Sequence, residues 1–135
     1  MNWVERRANK ERAIELEAND IYWQLVRSLE AAVRSFNDRY KDRIKVDLIE
    51  PPDAGFCAKK TFATHTRSFV CRLEKNHIKI DSRGGASIPM AAHIFGIDAD
   101  ESGMVFLCQG IDGPKISIEQ ASQAILEQFL FDQDI

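Results

Sequence analysis

The stretch DIYWQLVRSLEAAVRSFNDRY, residues 20–40, decides the fold. Within it Tyr22, Leu25, Val26, Leu29, Ala32, Val33, Phe36 and Tyr40 recur at three- and four-residue intervals, the period that gathers side chains on one face of an α-helix. Twenty residues at that pitch give about 30 Å of helix. A stripe of this kind needs a second layer to cover it, and a small sheet is the right size.

Toward the N-terminus the helical pattern continues to Trp3 but thins. Eight of the sixteen residues from Trp3 to Ala18 are charged, and three of the seven apolar ones are alanine. Arg7/Glu11 and Arg12/Glu15 can pair along the surface for about 0.2–0.5 kcal/mol each. An unbroken helix from Trp3 to Tyr40 would run about 58 Å, whereas a compact globule of this length is about 37 Å across. The helix therefore breaks, with Asn19 or Asp20 capping a second one, or it overhangs and finds a partner. On this pattern residues 1–18 form a charged helical extension and residues 19–135 a single α+β domain. Trp3, Val4 and Ala8 make a small apolar strip on the extension, and tryptophan is a favoured interface anchor. The alternatives for that strip are folding back on its own sheet or fraying.

Beyond Asp42 the period changes to two. Ile44, Val46 and Leu48 alternate with Lys45 and Asp47 as a strand with one wet face. Pro51-Pro52-Asp53-Ala54-Gly55 ends it. Residues 56–63 and 68–73 read as further strands, with a parity change that places a turn or bulge around Thr64–Arg67. Glu74-Lys75-Asn76-His77 turns into Ile78-Lys79-Ile80, and pairing Leu73 with Ile78 and Cys71 with Ile80 sets all four on one buried face. Arg83-Gly84-Gly85 opens a loop, and Ala91–Asp98 with Met104–Gln109 form the last hairpin. Ser117-Ile118-Glu119-Gln120 has capping-box spacing before an amphipathic helix that ends near Phe131. The expected fold is α+β: an antiparallel sheet of five to six strands, with a long N-terminal helix and a C-terminal helix on one face.

Charge gives the second clue. The net charge is −3 over 135 residues, so general attraction to nucleic acid is not implied. Residues 55–85 hold seven Lys or Arg against two acids, and residues 86–135 hold one Lys against eight. In the hairpin register above, Arg72 and Lys79 oppose each other on the non-core face, an arrangement that costs stability. With Arg67, Arg83 and His65 nearby, they define a candidate anion-binding surface for a phosphorylated ligand or an acidic partner. Neutralisation by Glu74, Asp81 or the acidic C-terminal half is the alternative.

Other constellations carry less. Cys57, His65, Cys71 and His77 lack the paired spacing of a zinc site, so no metal or cofactor is expected. Cys71 and Cys108 lie in apolar strands, where thiols are inert, and His93 sits in an apolar run. Gly84-Gly85 leads to a strand or turn, not to the helix N-terminus a phosphate loop needs. Asp98, Asp100 and Glu101 lack the twelve-residue calcium pattern. Three widely spaced cysteines and the absence of a long apolar run point to a cytoplasmic protein with no membrane span. No catalytic set emerges. The expectation is a non-catalytic protein-interaction module, homodimeric through its first helix or bound to a partner protein. The alternative is a small-ligand domain or minor enzyme in which Arg67, Arg72, Lys79 and Arg83 orient an anion and His65 transfers protons.

Overall fold

Asn2 opens the first helix by accepting a hydrogen bond from the Glu5 backbone N–H at 2.9 Å, the usual way to satisfy an orphan donor at a helix start. In the computed structural model, which describes residues 2–49 and 55–132, this helix, α1 (Trp3–Arg39), runs unbroken for 37 residues. It does not break at Asn19-Asp20. The Asp20 carboxylate accepts from Gln24 Nε2 at 2.9 Å along the helix surface, so it caps nothing. Ala18, Tyr22, Leu25, Val26, Leu29, Val33 and Phe36 are the buried residues of α1.

Among the described residues seven strands follow as an antiparallel meander: β1 (Val46–Ile49), β2 (Phe56–Thr61), β3 (Thr66–Glu74), β4 (His77–Arg83), β5 (Ile94–Ala99), β6 (Val105–Gln109) and β7 (Lys115–Ile116). Each pairs with its neighbour in sequence. The helix α2 (Ile118–Phe131) closes the chain, and the Ser117/Gln120 capping box is formed in both directions at 3.0 Å. Residues of both helices share one core with Val46, Phe56, Ala58, Phe69, Cys71, Ile78, Ile80, Phe95, Ile97 and Leu107. These strand residues are of one parity in each strand, so they form the inner face of the sheet.

The β3–β4 register is Cys71 with Ile80, Arg72 with Lys79 and Leu73 with Ile78, as the alternation dictates. Four boundaries differ from the sequence expectation. β7 is a seventh strand, two residues long, antiparallel to β6. The strand expected from Ala91 begins at Ile94, because Pro89 starts a 3-10 turn over Met90–Ala92 in which Ala92 N–H donates to the Pro89 carbonyl at 2.9 Å. The β2–β3 turn is at Phe62–His65, closed by Phe62 N–H on the His65 carbonyl at 2.8 Å. Ile44 precedes β1 and is exposed, leaving Val46 as that strand's buried residue. Pro51 to Ala54 lie outside the described residues.

The earlier turn matters, because it places Arg67 on the same parity as Phe69 and Cys71. Arg67 therefore faces inward, opposite Lys60. Lys60 is only 3 % exposed. Its ammonium donates to the carbonyls of Phe129 (3.0 Å), Leu130 (3.1 Å) and Asp132 (2.7 Å), the open end of α2. Helix C-termini carry partial negative charge and unsatisfied carbonyls, so a buried cation there answers both. Arg67 and Ser87 bind the Asp132 carboxylate, Ser87 Oγ at 2.7 Å. This clasp ties β2, β3 and the loop after β4 to the last turn of α2.

Burial pulls the Lys60 ammonium below the ordinary lysine value of 10.5; Asp132 opposes that shift, and Arg67 and Arg43 add to it. Between the lowered folded value and 10.5 the unfolded chain binds more protons, so this residue's contribution to stability rises with pH through that window. Replacing Lys60 with Met leaves the three carbonyls without their donor and is expected to cost about 1–3 kcal/mol. Urea unfolding checks it: the wild-type midpoint should exceed that of K60M, and equal midpoints would show that water serves the helix end as well.

Candidate functional site

The first half of α1 is the least covered element of the fold. From Trp3 to Glu17 no residue is buried, and only Ala13 and Ile14 are partly covered. Trp3 is 69 % exposed, and Val4 and Ala8 are also exposed. The Arg7/Glu11 pair forms at 3.2 Å with both side chains largely in water, where such pairs contribute little. Lys10 Nζ reaches the sheet at Asp98 Oδ1, 2.9 Å away, and Ile14 packs against the edge of the core. Partial burial of the Asp98 carboxyl works to raise its pKa, but the Lys10 ammonium and the Ala99 N–H outweigh it and hold it below the usual carboxylate value.

Between this half-helix and the β5–β6 hairpin lies a groove of about 620 Å³. Trp3, Arg6, Arg7 and Lys10 line it on the helix side, and Asp100, Glu101 and Gly103 on the hairpin side. The hairpin tip is held by its own bonds. Asp100 Oδ1 accepts from Ser102 Oγ (2.6 Å), Ser102 N–H (2.9 Å) and Met104 N–H (3.0 Å). Those bonds, the Ser102 hydroxyl foremost, lower the Asp100 pKa. To one side of the buried stripe, Leu16 is 74 % exposed and Trp23 40 %. The anchors read from the sequence were Trp3, Val4 and Ala8; Leu16 and Trp23 went unremarked, although their seven-residue spacing was visible.

The basic residues divide between two faces. Arg72 and Lys79 stand directly opposite each other on the outer face, with Ile94 next in the row. No helix among the described residues packs on that face. Arg83 shares it, paired with Ser68 in a row that continues through Lys59 to Asp47. Arg83 is four positions beyond Lys79 along β4, about 13 Å at the strand rise. Asp81 lies between them, 3.8 Å from Lys79. Arg67 is a correction: it is on the inner face, bound to Asp132, with its guanidinium 4.9 Å from the Phe62 ring centroid. Lys60 is also inside. His65 sits in the β2–β3 turn, stacked on Phe62 at 4.9 Å. The outer face thus brings together Arg72 and Lys79, with Arg83 and Lys59 further along, and leaves Arg67 and His65 at the α2 end.

The thiols are dispersed as well. Cys71 is inward and Cys57 outward, so they occupy opposite faces. Burial pushes the Cys71 thiol up to about 12, and burial also raises Cys57 and Cys108. Thiols held neutral in this way are poor nucleophiles and poor ligands. Beside Cys71, Tyr22 donates from its hydroxyl to the Cys71 carbonyl at 2.8 Å, and burial raises its pKa strongly. A Cβ on Gly55 would fall 2.9 Å from that same carbonyl, so this close packing needs a glycine. His93 donates to the Ile88 carbonyl at 3.1 Å, and His77 lies 3.3 Å from Glu74.

Comparison with protein-family models, curated proteins and solved structures found no match to this chain. The chemistry of its own surfaces therefore carries the functional argument.

The opposed Arg72 and Lys79 give a direct test of that surface. Turning the pair into opposite charges with Lys79→Glu is expected to raise stability by about 0.2–1 kcal/mol, the usual range for cross-strand pairs. Thermal melts of the two proteins check it. A lower melting temperature in the variant would mean that the like-charge pair is already compensated.

Proposed function

We propose that the protein is a non-catalytic interaction module of the cytoplasm that works as a homodimer through the first half of α1. The observation that carries this reading is a continuous helix whose residues 3–17 include no buried side chain and meet the core through Ile14, yet display Trp3, Val4 and Leu16 to water. An isolated helix half of that length is marginal in water, and exposed apolar side chains on it gain most from a second surface. The mixed charges of the same segment, Arg6, Arg7, Lys10 and Arg12 with Glu5, Glu11, Glu15 and Glu17, suit a partner bearing the same sequence. The three free cysteines fit a reducing compartment. No described helix is long and apolar enough to cross a membrane.

A second reading rests on the Arg72–Lys79 register. As an anion-binding domain, or a minor enzyme on an anionic substrate, the protein would use Arg72 and Lys79 as its centre, with Arg83 and Lys59 extending the positive row. An acidic ligand long enough to span about 13 Å fits better than a single small anion. From their positions at the α2 end, Arg67 and His65 would take no part.

Native mass spectrometry of the gently purified protein separates the two. The interaction module is expected at twice 15.4 kDa with nothing added. A monomer carrying a reproducible anionic adduct that is lost on denaturation would favour the second reading instead.

A further inference from the structure

Leu16 and Trp23 are seven residues apart, so they lie within about 20° of each other on the helix, to one side of the stripe that includes Ala18 and Leu25; Leu16 is open to water, and Trp23 rests edge-on against Tyr22 at 5.5 Å with its other side exposed. We propose that the second copy docks on this face, in an antiparallel helix pair whose two-fold axis passes between Leu16 and Trp23. The pairing rests on the homodimer proposed above and specifies which face and direction it uses.

Three arguments favour a second copy in that register. Two-fold symmetry places each Leu16 on the partner's Trp23 and each Trp23 on the partner's Leu16, so both exposed side chains are covered by one operation. The same operation sets Glu5 opposite the partner's Arg34, Asn9 opposite the partner's Glu30, and Asn19 opposite the partner's Asp20. Its unfavourable contacts are Asp20 beside the partner's Asp20 at the axis and Arg12 against the partner's Arg27, where the guanidinium of Arg12 has the partner's Trp23 ring one turn away. A parallel pair would instead set Glu5, Arg12, Asp20, Arg27, Glu30 and Arg34 each against itself, a like-charge contact at all six of those levels.

The size of the contact sets its strength. A strip about 55 Å long and about 10 Å wide offers roughly 500–600 Å² per copy, at the low end for a specific interface. The dimer is therefore expected to dissociate in the micromolar range, leaving monomer and dimer both accessible to measurement.

Sedimentation of the full-length protein between about 5 and 500 μM tests the face. The wild type should shift from monomer to dimer across this range, and Leu16→Glu should weaken the dimer at least tenfold while leaving the melting temperature unchanged, because Leu16 is 74 % exposed. Spin labels at Asn19→Cys and, separately, Arg6→Cys in a Cys57→Ser background test the direction. Antiparallel pairing predicts about 10–15 Å between the two Asn19 sites and about 40 Å between the two Arg6 sites. Short distances at both sites would overturn the antiparallel arrangement. A dimer that survives Leu16→Glu but is lost in Trp3→Glu would overturn this face and leave the homodimer standing. A wild type that stays monomeric at 500 μM would overturn both.

Discussion

The burial of one helical stripe against the inner face of the sheet is the constraint on which the rest depends. Seven side chains from Ala18 to Phe36 take the covered positions of α1, and their spacing fixes which face of the helix meets the strands. Once that is set, the inner parity of every strand follows, because Phe56, Phe69, Cys71, Ile78, Ile80 and Phe95 can be dry only on the helix side. The stripe also fixes what is left over. Its fully buried part ends at Ala18, but the helix continues to Trp3 without a break, supported by the Asn2 cap, the Arg7–Glu11 pair, the Lys10–Asp98 ion pair and the packing of Ile14. The proposed partner surface is this remainder.

The other end of the molecule is closed from within. Lys60, Arg67 and Ser87 converge on the last turn of α2 and on Asp132, so two of the chain's basic residues neutralise the helix end and one of its acids. This divides the positive charge of the central strands. Part of it is internal and structural; Lys59, Arg72, Lys79 and Arg83 stay on the outer face, where Asp81 lies 3.8 Å from Lys79 and Asp47 stands beside Lys59. Buried charge is retained where it is fully hydrogen-bonded, and the three carbonyls around Lys60 meet that condition.

Much of the fold could be read from residue patterns because the decisive signals are local. The capping box at Ser117 spans four residues, and the Cys71–Ile80 register follows from alternation on either side of a tight turn. The parts that could not be read depend on distant contacts. Lys60 follows Phe56 and Ala58 on the inward parity, but a lysine there makes sense only beside the α2 carbonyls, 69 to 72 residues away. Arg67 fell inside the turn expected at Thr64–Arg67; the chain turns earlier, at Phe62–His65, so Arg67 belongs to β3 and takes the inward parity of Phe69 and Cys71. β7 is only Lys115 and Ile116, too short to show a period. The Asn19-Asp20 pair resembles a cap in composition, yet tertiary burial of Ala18 and Tyr22 on either side carries the helix straight through it.

Hydrogen–deuterium exchange measured at several protein concentrations tests most directly whether the first half of α1 is held by another copy. The amides of residues 3–17 should exchange rapidly in dilute solution and become slower as concentration rises through the micromolar range. Those from Tyr22 to Phe36, protected by the core, should not change. Equal exchange of residues 3–17 at every concentration would contradict the claim that this half-helix is an interface between copies.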